Sequence, residues 1–260
     1  MNLEYQTYII EELRSLAESD KHSVLIDGVR GCGKTYLAKQ YAALLGISDF
    51  YILSPNVQSV RDTIDSLYNV SSKVVICVEN LDSGAVGASY ALLKFLEEPA
   101  KNVYVVVTCQ NRYKVPDTII SRSACISVPA PSPAYLSEYA QIKNASKYNQ
   151  ISKLPVWRAV RSFKDVDNVY QMSDSQLSYY DSLPPLFDFK DNVSNIVWKL
   201  QHYSDDSETD PVFVMNFLLS SFNSSAFKRK IIECVRDLSF GNIAVHAVLS
   251  KFVLDCKYGD

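Results

Sequence analysis

The sequence predicts an α/β chain with three parts: a core on a parallel β-sheet, a small helical domain, and a C-terminal helical domain. Three observations point there. Helix-like and strand-like segments alternate through the first half. The strand-like segments are continuous β-branched runs such as Val74–Val78 and Val103–Thr108, as expected of strands covered on both faces. After prolines 129, 131 and 133 the strand signal fades and helical spacing takes over.

Taken in order, Leu3–Glu18 places Ile9, Ile10, Leu13 and Leu16 at helical spacing. Ser23–Ile26 is a short apolar strand that runs into a glycine cluster. Lys34–Leu45 carries Leu37, Ala38, Tyr41, Ala42 and Leu45 on one helical face. Phe50–Leu53 reads as the second strand, Val57–Tyr68 as a helix, and Val74–Val78 as the third strand. Ala88–Glu98 is a helix halted by Pro99, which has no N–H to continue it. Val103–Thr108, a helical turn at Thr118–Ser121 and a strand at Ala124–Val128 complete the core. Beyond Pro133, short helices are expected at Ala134–Asn144, Lys147–Lys153, Val156–Phe163 and Asp174–Ser182. Pro184-Pro185 is a second break, and Asn192–Tyr258 is helical apart from a polar loop at Ser204–Asp210. These breaks divide the chain into residues 1–130, 131–184 and 185–260.

Composition narrows the class. Over 260 residues, 26 Lys+Arg stand against 29 Asp+Glu for a net charge of −3, so contact with nucleic acid requires a local patch. An apolar fraction of 47% with 12% aromatics excludes a disordered chain. The longest apolar runs fall short of the ~18 residues of a membrane span, and the acidic, amphipathic N-terminus is unlike a signal peptide. Cys32, Cys77, Cys109, Cys125, Cys234 and Cys256 are widely spaced, without a C-x-x-C pair. That spacing argues against a zinc site and against a disulfide framework. A soluble protein of a reducing compartment is expected.

Glycine is scarce, eight residues in all, yet Gly28, Gly31 and Gly33 fall within six positions. Gly28-Val29-Arg30-Gly31-Cys32-Gly33-Lys34-Thr35 is a complete G-x-x-x-x-G-K-T phosphate loop between a strand and a helix. Its glycines let backbone N–H groups face phosphates at a helix N-terminus. Lys34 is expected to reach the β- and γ-phosphates of a nucleoside triphosphate, and the Thr35 hydroxyl to ligate Mg²⁺. A second carboxylate should end a later buried strand. Val74–Val78 runs into Glu79-Asn80-Leu81-Asp82, where an Asp-Glu pair would be ordinary. Glu79 can supply the Mg²⁺ carboxylate. Asn80 falls at the position of a general base, although an amide does not accept a proton. Asp82 reads as a cap for the next helix, or as a substitute base.

Residues Ala91-Leu92-Leu93-Lys94-Phe95-Leu96-Glu97-Glu98-Pro99 resemble the helix after the second carboxylate motif in bacterial clamp-loader subunits of the gamma/tau and delta-prime type. Leu81-Asp82-Ser83 with Gly87-Ala88 resembles eukaryotic replication factor C small subunits. Val57-Gln58-Ser59-Val60-Arg61-Asp62 fits the segment upstream. Lys114-Val115-Pro116-Asp117-Thr118-Ile119-Ile120-Ser121-Arg122-Ser123 resembles the family's Ser-Arg-Cys region, with Ser123 in place of Cys. The similarity covers Ser23 to about Ser127, and more weakly the helical domain.

The resemblance implies an AAA+ core followed by a helical lid and a collar-like helical domain, with ATP and Mg²⁺ as cofactors. It implies an arginine finger at Arg122, reaching a neighbouring subunit's γ-phosphate. It also implies a sensor-1 polar residue at Gln110 or Asn111, and a sensor-2 arginine at Arg158 with Arg161 as competitor. The implied partners are other loader subunits in a ring, expected to be a pentamer, together with a sliding clamp and primer–template DNA in a bacterial or phage-infected cytoplasm. Lys94 and Lys101 lie near the helix that would approach DNA. The zinc module of bacterial relatives is missing. Two readings compete with an active clamp-loading ATPase: a hydrolysis-deficient subunit that donates Arg122, and another AAA+ replication or recombination ATPase. A small-molecule P-loop kinase would have no use for the helical domains or the Ser-Arg motif.

Overall fold

Five short strands form the centre of the first half: Ser23–Gly28 (β1), Asp49–Leu53 (β2), Val74–Val78 (β3), Val103–Cys109 (β4) and Ala124–Val128 (β5). The computed structural model describes residues 4–67, 70–84, 86–204, 207–239 and 244–258. Each strand pairs parallel with its neighbours in the order β2-β3-β4-β1-β5. Parallel pairing needs a crossover between strands. Lys34–Leu44 (α2), Val57–Leu67 (α3) and Val86–Glu97 (α4) supply the first three, and the short Asp117–Ile120 (α5) lies in the last. Glu4–Glu18 (α1) precedes the sheet and packs beside α2.

Alternate residues of the buried strands serve two cores, which explains why β3, and β4 as far as Thr108, are apolar. One face sends Leu25, Ile76, Val78, Val105 and Val107 against Val60, Ile64, Leu92, Phe95 and Ile119 of α3, α4 and α5. The other sends Val24, Ile26, Cys77, Tyr104 and Ile126 against Ile9, Leu13, Leu37 and Tyr41 of α1 and α2. Tyr104 is fully buried, but its polar tip is satisfied. Lys73 Nζ donates to its hydroxyl at 3.0 Å, the hydroxyl donates to Asp20, and the His22 ring stacks on it at 4.4 Å.

Two compact units are present, Met1–Pro131 and Ser132–Asp260. In the second, Pro133–Ile151 (α6) is one helix interrupted at Asn144, whose backbone is extended (φ −164°, ψ 100°). The helical stretches on either side of Asn144 are the two helices expected here. The Asn144 side chain accepts the N–H of Lys147 at 2.9 Å and so caps the second stretch. The expected helix Val156–Phe163 is instead a 3₁₀ turn, Pro155–Ala159, followed by an α-helix at Phe163–Gln171 (α7). Ser162 starts that helix by accepting the Asp165 N–H at 3.2 Å, a Ser-x-x-Asp signal visible in the sequence. Asp174–Ser182 (α8) opens with a Ser173/Gln176 capping box.

The second proline break lies within a 3₁₀ turn, Pro184–Asp188, inside this same unit. Val193–Gln201 (α9), Pro211–Ser221 (α10), Ser225–Ser239 (α11) and Val245–Tyr258 (α12) follow. Tyr180 of α8 is fully buried against Phe213 and Phe217 of α10, so the segments on either side of the break share a core. The expected polar loop 204–210 holds a small antiparallel pairing of His202–Ser204 (β6) with Ser207–Glu208 (β7). Residues 205–206, Leu3 and Tyr68 lie outside the described residues, as does the side chain of Lys94.

Candidate nucleotide-binding site

The glycine-rich loop joins the end of β1 to the start of α2. Gly31 (φ 76°) and Gly33 (φ 100°) occupy the left-handed region, where a Cβ is strained. Gly33 is the N-cap residue of α2. At Gly28 a Cβ would lie 2.6 Å from the Val128 carbonyl oxygen and 2.9 Å from Cys32 Sγ, so the loop's first residue is pressed against β5. Cys32 is fully buried, and burial raises its thiol pKa. Burial likewise pushes the thiols of Cys77 and Cys109 up to about 12, which makes all three inert as nucleophiles. Lys34 is 7% exposed, and its ammonium donates to the carbonyls of Gly28 at 2.7 Å and Val29 at 3.0 Å. The loop therefore carries its cation folded onto its own backbone, where a phosphate can exchange for the two carbonyls.

Thr35 and Glu79, 44 positions apart, meet at this edge, where the Thr35 hydroxyl donates to Glu79 Oε1. The Glu79 N–H donates to the Leu53 carbonyl at 2.9 Å and carries the β2–β3 pairing one residue past the strand. A hydroxyl and a carboxylate are hard oxygen donors of the type Mg²⁺ takes together with phosphate oxygens. Among the described residues no group of three or more His, Cys, Asp or Glu could hold a metal.

Asn80 follows in the left-handed conformation (φ 50°, ψ 49°), which Asn tolerates better than most residues. Its N–H donates to Thr108 Oγ1 at 3.0 Å. Asp82 sits in the 3₁₀ turn Leu81–Ser83, but it caps a different segment from the one expected. Its two carboxylate oxygens accept the N–H groups of Gln110 at 3.1 Å and Asn111 at 2.9 Å. Two hydrogen bonds thus join the loops after β3 and β4, a third ties the first loop to β4 itself, and both oxygens of the alternative base are engaged. Asp82→Ala is expected to lower stability by about 1–2 kcal/mol, because two backbone donors lose a charged acceptor. Denaturant unfolding checks this; an unchanged midpoint would show that the loops are held otherwise.

Gln110 and Asn111 are both exposed, and Asn111 Oδ1 also accepts the Tyr113 N–H at 3.0 Å. Thr108, one turn of strand earlier, is the buried polar side chain of β4 that touches the loop after β3. Its signal in the sequence was a hydroxyl within an otherwise apolar run. Three further residues beside the loop carry no distinctive sequence signal. Arg112 lies 3.6 Å from Asp27, the residue before Gly28, and Ser127 Oγ donates to Asp27 at 3.0 Å. This cluster braces the ends of β1 and β5 beside the loop.

Arg122 follows α5, partly exposed, with hydrogen bonds to the Thr118 carbonyl at 2.9 Å and to Glu97 at 3.0 Å. Neither partner belongs to the loop. Arg158 belongs to the second unit, exposed on the 3₁₀ turn Pro155–Ala159 between buried Val156 and Ala159. Arg161 folds back onto the carbonyls of Arg158 and Val160, at 2.6 and 2.9 Å. Lys101 is exposed in the turn after α4. Among the described residues no helix is long and apolar enough to cross a membrane.

Comparison with known proteins places these features in context. The protein-family model described as DNA polymerase III, delta subunit, matches residues 49–132. DNA polymerase III subunit delta' of Bacillus subtilis (strain 168) is 26% identical over 48% of this chain and 47% of its own length. Replication factor C subunit 3 of Dictyostelium discoideum is 31% identical over 52% of this chain and 40% of its own. The match spans less than half of each of these relatives. A DNA polymerase III gamma-subunit-related protein from Thermotoga maritima has a similar structure. It superposes with a TM-score of 0.59 at 14% identity, over 95% of this chain and 98% of that one, a likeness of fold.

Proposed function

Taking the chain as a clamp-loader-like AAA+ protein, we propose that it is an ATP-binding subunit of a sliding-clamp loader. The observation that carries this reading is the meeting of Thr35 with Glu79 beside a glycine loop that already holds Lys34. Lys34 and the loop N–H groups bind and orient the β- and γ-phosphates of ATP. Thr35 and Glu79 hold Mg²⁺, which when bound offsets the phosphate charge. Gln110 or Asn111 responds to the nucleotide from a sensor position, while Arg122 serves the site of an adjoining subunit. Bound nucleotide orders the ring of subunits, so that clamp and primer–template DNA are engaged in its ATP state. Phosphate contacts to DNA would be few and blind to sequence, in keeping with a net charge of −3.

Asn80 favours a second reading within the same assembly. Its amide orients water but does not take up a proton at neutral pH, and Asp82 is tied to Gln110 and Asn111. In that case the subunit binds Mg·ATP, hydrolyses it slowly and contributes Arg122 to an active neighbour. Asn80→Glu separates the two. Restoring a general base is expected to raise turnover of the assembled complex on primed DNA by about 10²–10⁴. The left-handed backbone at position 80 would cost the new Glu about 1 kcal/mol in stability, so melting is followed in parallel. No gain, with wild-type turnover already fast, would mean that another residue is the base and that this subunit hydrolyses ATP unaided.

A further inference from the structure

We propose that Glu97 is a positioning residue for Arg122, holding its guanidinium in the orientation presented to the adjoining subunit. The inference rests on the reading of Arg122 as acting in trans. Glu97 is the last residue of α4, Arg122 follows α5, and the two helices pack together. Arg122 Nη2 donates to Glu97 Oε1 at 3.0 Å, and Nη1 donates to the Thr118 carbonyl at 2.9 Å. Anchoring both terminal nitrogens removes rotation of the guanidinium plane. Each of those nitrogens carries a second N–H, so the fork can bind an anion while both anchors stay made.

The local chemistry explains why each anchor is there. A carboxylate in the last turn of a helix faces the negative end of the dipole. Glu97 is fixed in that turn by Pro99, so it gains from a cation supplied by another element. The Thr118 carbonyl belongs to α5, a helix of four residues whose carbonyls need partners outside its own ladder. The side chains of Arg122 and Glu97 are 37% and 54% exposed. An ion pair that open contributes little to stability, and what it does set is the direction of the fork.

The experiment is a double-mutant cycle on ATP turnover by the full chain in its assembled complex, with ATP affinity of the isolated chain measured alongside. Glu97→Ala is expected to lower kcat about 10-fold by misorienting the arginine, with ATP affinity and melting of the isolated chain unchanged. Glu97→Gln, which keeps an acceptor oxygen in place, is expected to recover most of the loss. The Glu97→Ala/Arg122→Ala pair should be no slower than Arg122→Ala alone, since Glu97 then has nothing left to position. Wild-type turnover in Glu97→Ala, with Arg122→Ala slow, overturns the positioning role and leaves Arg122 as assigned. Losses that multiply in the double variant overturn it as well. Full turnover in Arg122→Ala would remove the reading of Arg122 and this inference with it.

Discussion

Lys34→Ala is expected to weaken Mg·ATP binding by roughly 100-fold or more. Lys34 is 7% exposed and its ammonium donates to two loop carbonyls, so it is aimed into the loop before any phosphate arrives. A charge-assisted hydrogen bond to an anion is worth about 1.5–3 kcal/mol, and 2.7 kcal/mol is about 100-fold in affinity. Removing the side chain also leaves the Gly28 and Val29 carbonyls without that donor. The fold of the variant must therefore be compared with wild type in the absence of nucleotide. Ligand linkage then gives a clean readout, because a nucleotide that binds the native state raises its melting temperature in proportion to the logarithm of concentration over Kd. Wild type should shift with Mg·ATP and the variant should not. An unchanged affinity in direct titration would remove the phosphate-loop assignment and, with it, the proposed function.

Arg122→Ala is expected to leave ATP binding by the isolated chain intact while slowing turnover of the assembled complex by about 10³-fold or more. Arginine fingers supplied to phosphoryl-transfer sites contribute roughly 10³–10⁵ in rate. Within its own chain Arg122 touches Thr118 and Glu97 rather than the loop or Glu79, so its loss has no route to the chain's own nucleotide. Arg122→Lys should rescue little, since a point charge does not reproduce two parallel N–H donors. The informative arrangement is a mixed assembly in which this subunit alone carries the substitution. A defect confined to one neighbouring site supports action in trans. Loss of binding by the isolated variant, with assembled turnover preserved, would place the arginine in its own site instead.

Much of this molecule was legible before any coordinates, and the parts that were share a physical cause. The glycine loop proposed to bind phosphate is contiguous, so Gly31, Gly33 and Lys34 announce it without reference to anything distant. Strands buried on both faces have to be apolar at nearly every position, which marks β3 and, as far as Thr108, β4. Three prolines in five residues interrupt any ladder of backbone bonds, and the two compact units, Met1–Pro131 and Ser132–Asp260, divide among them. The errors in the second half are of the same local kind. A Pro155 start with a Ser162 cap seven residues on reads as one helix by apolar spacing, but as a turn and a new helix once the cap is given its hydrogen bond.

What the sequence by itself determined, then, is the inventory of elements in the core and which groups are candidates to meet a nucleotide. The tertiary structure decided which of those groups meet each other. Strand order β2-β3-β4-β1-β5 sets the ends of β3, β4 and β1 side by side. That brings Glu79 to Thr35, Asn80 to Thr108 and Asp82 to the backbone of Gln110 and Asn111. The packing of α5 on α4 likewise brings Arg122 to Glu97, 25 positions away. A carboxylate in a sequence carries no mark of its partner. From its local sequence Asp82 reads as a cap for the next helix or as a substitute base, and nothing there marks it as the residue that holds a neighbouring loop. The choice is made by which unsatisfied donors the sheet places within 3 Å of it, and those donors exist only once the strands have paired.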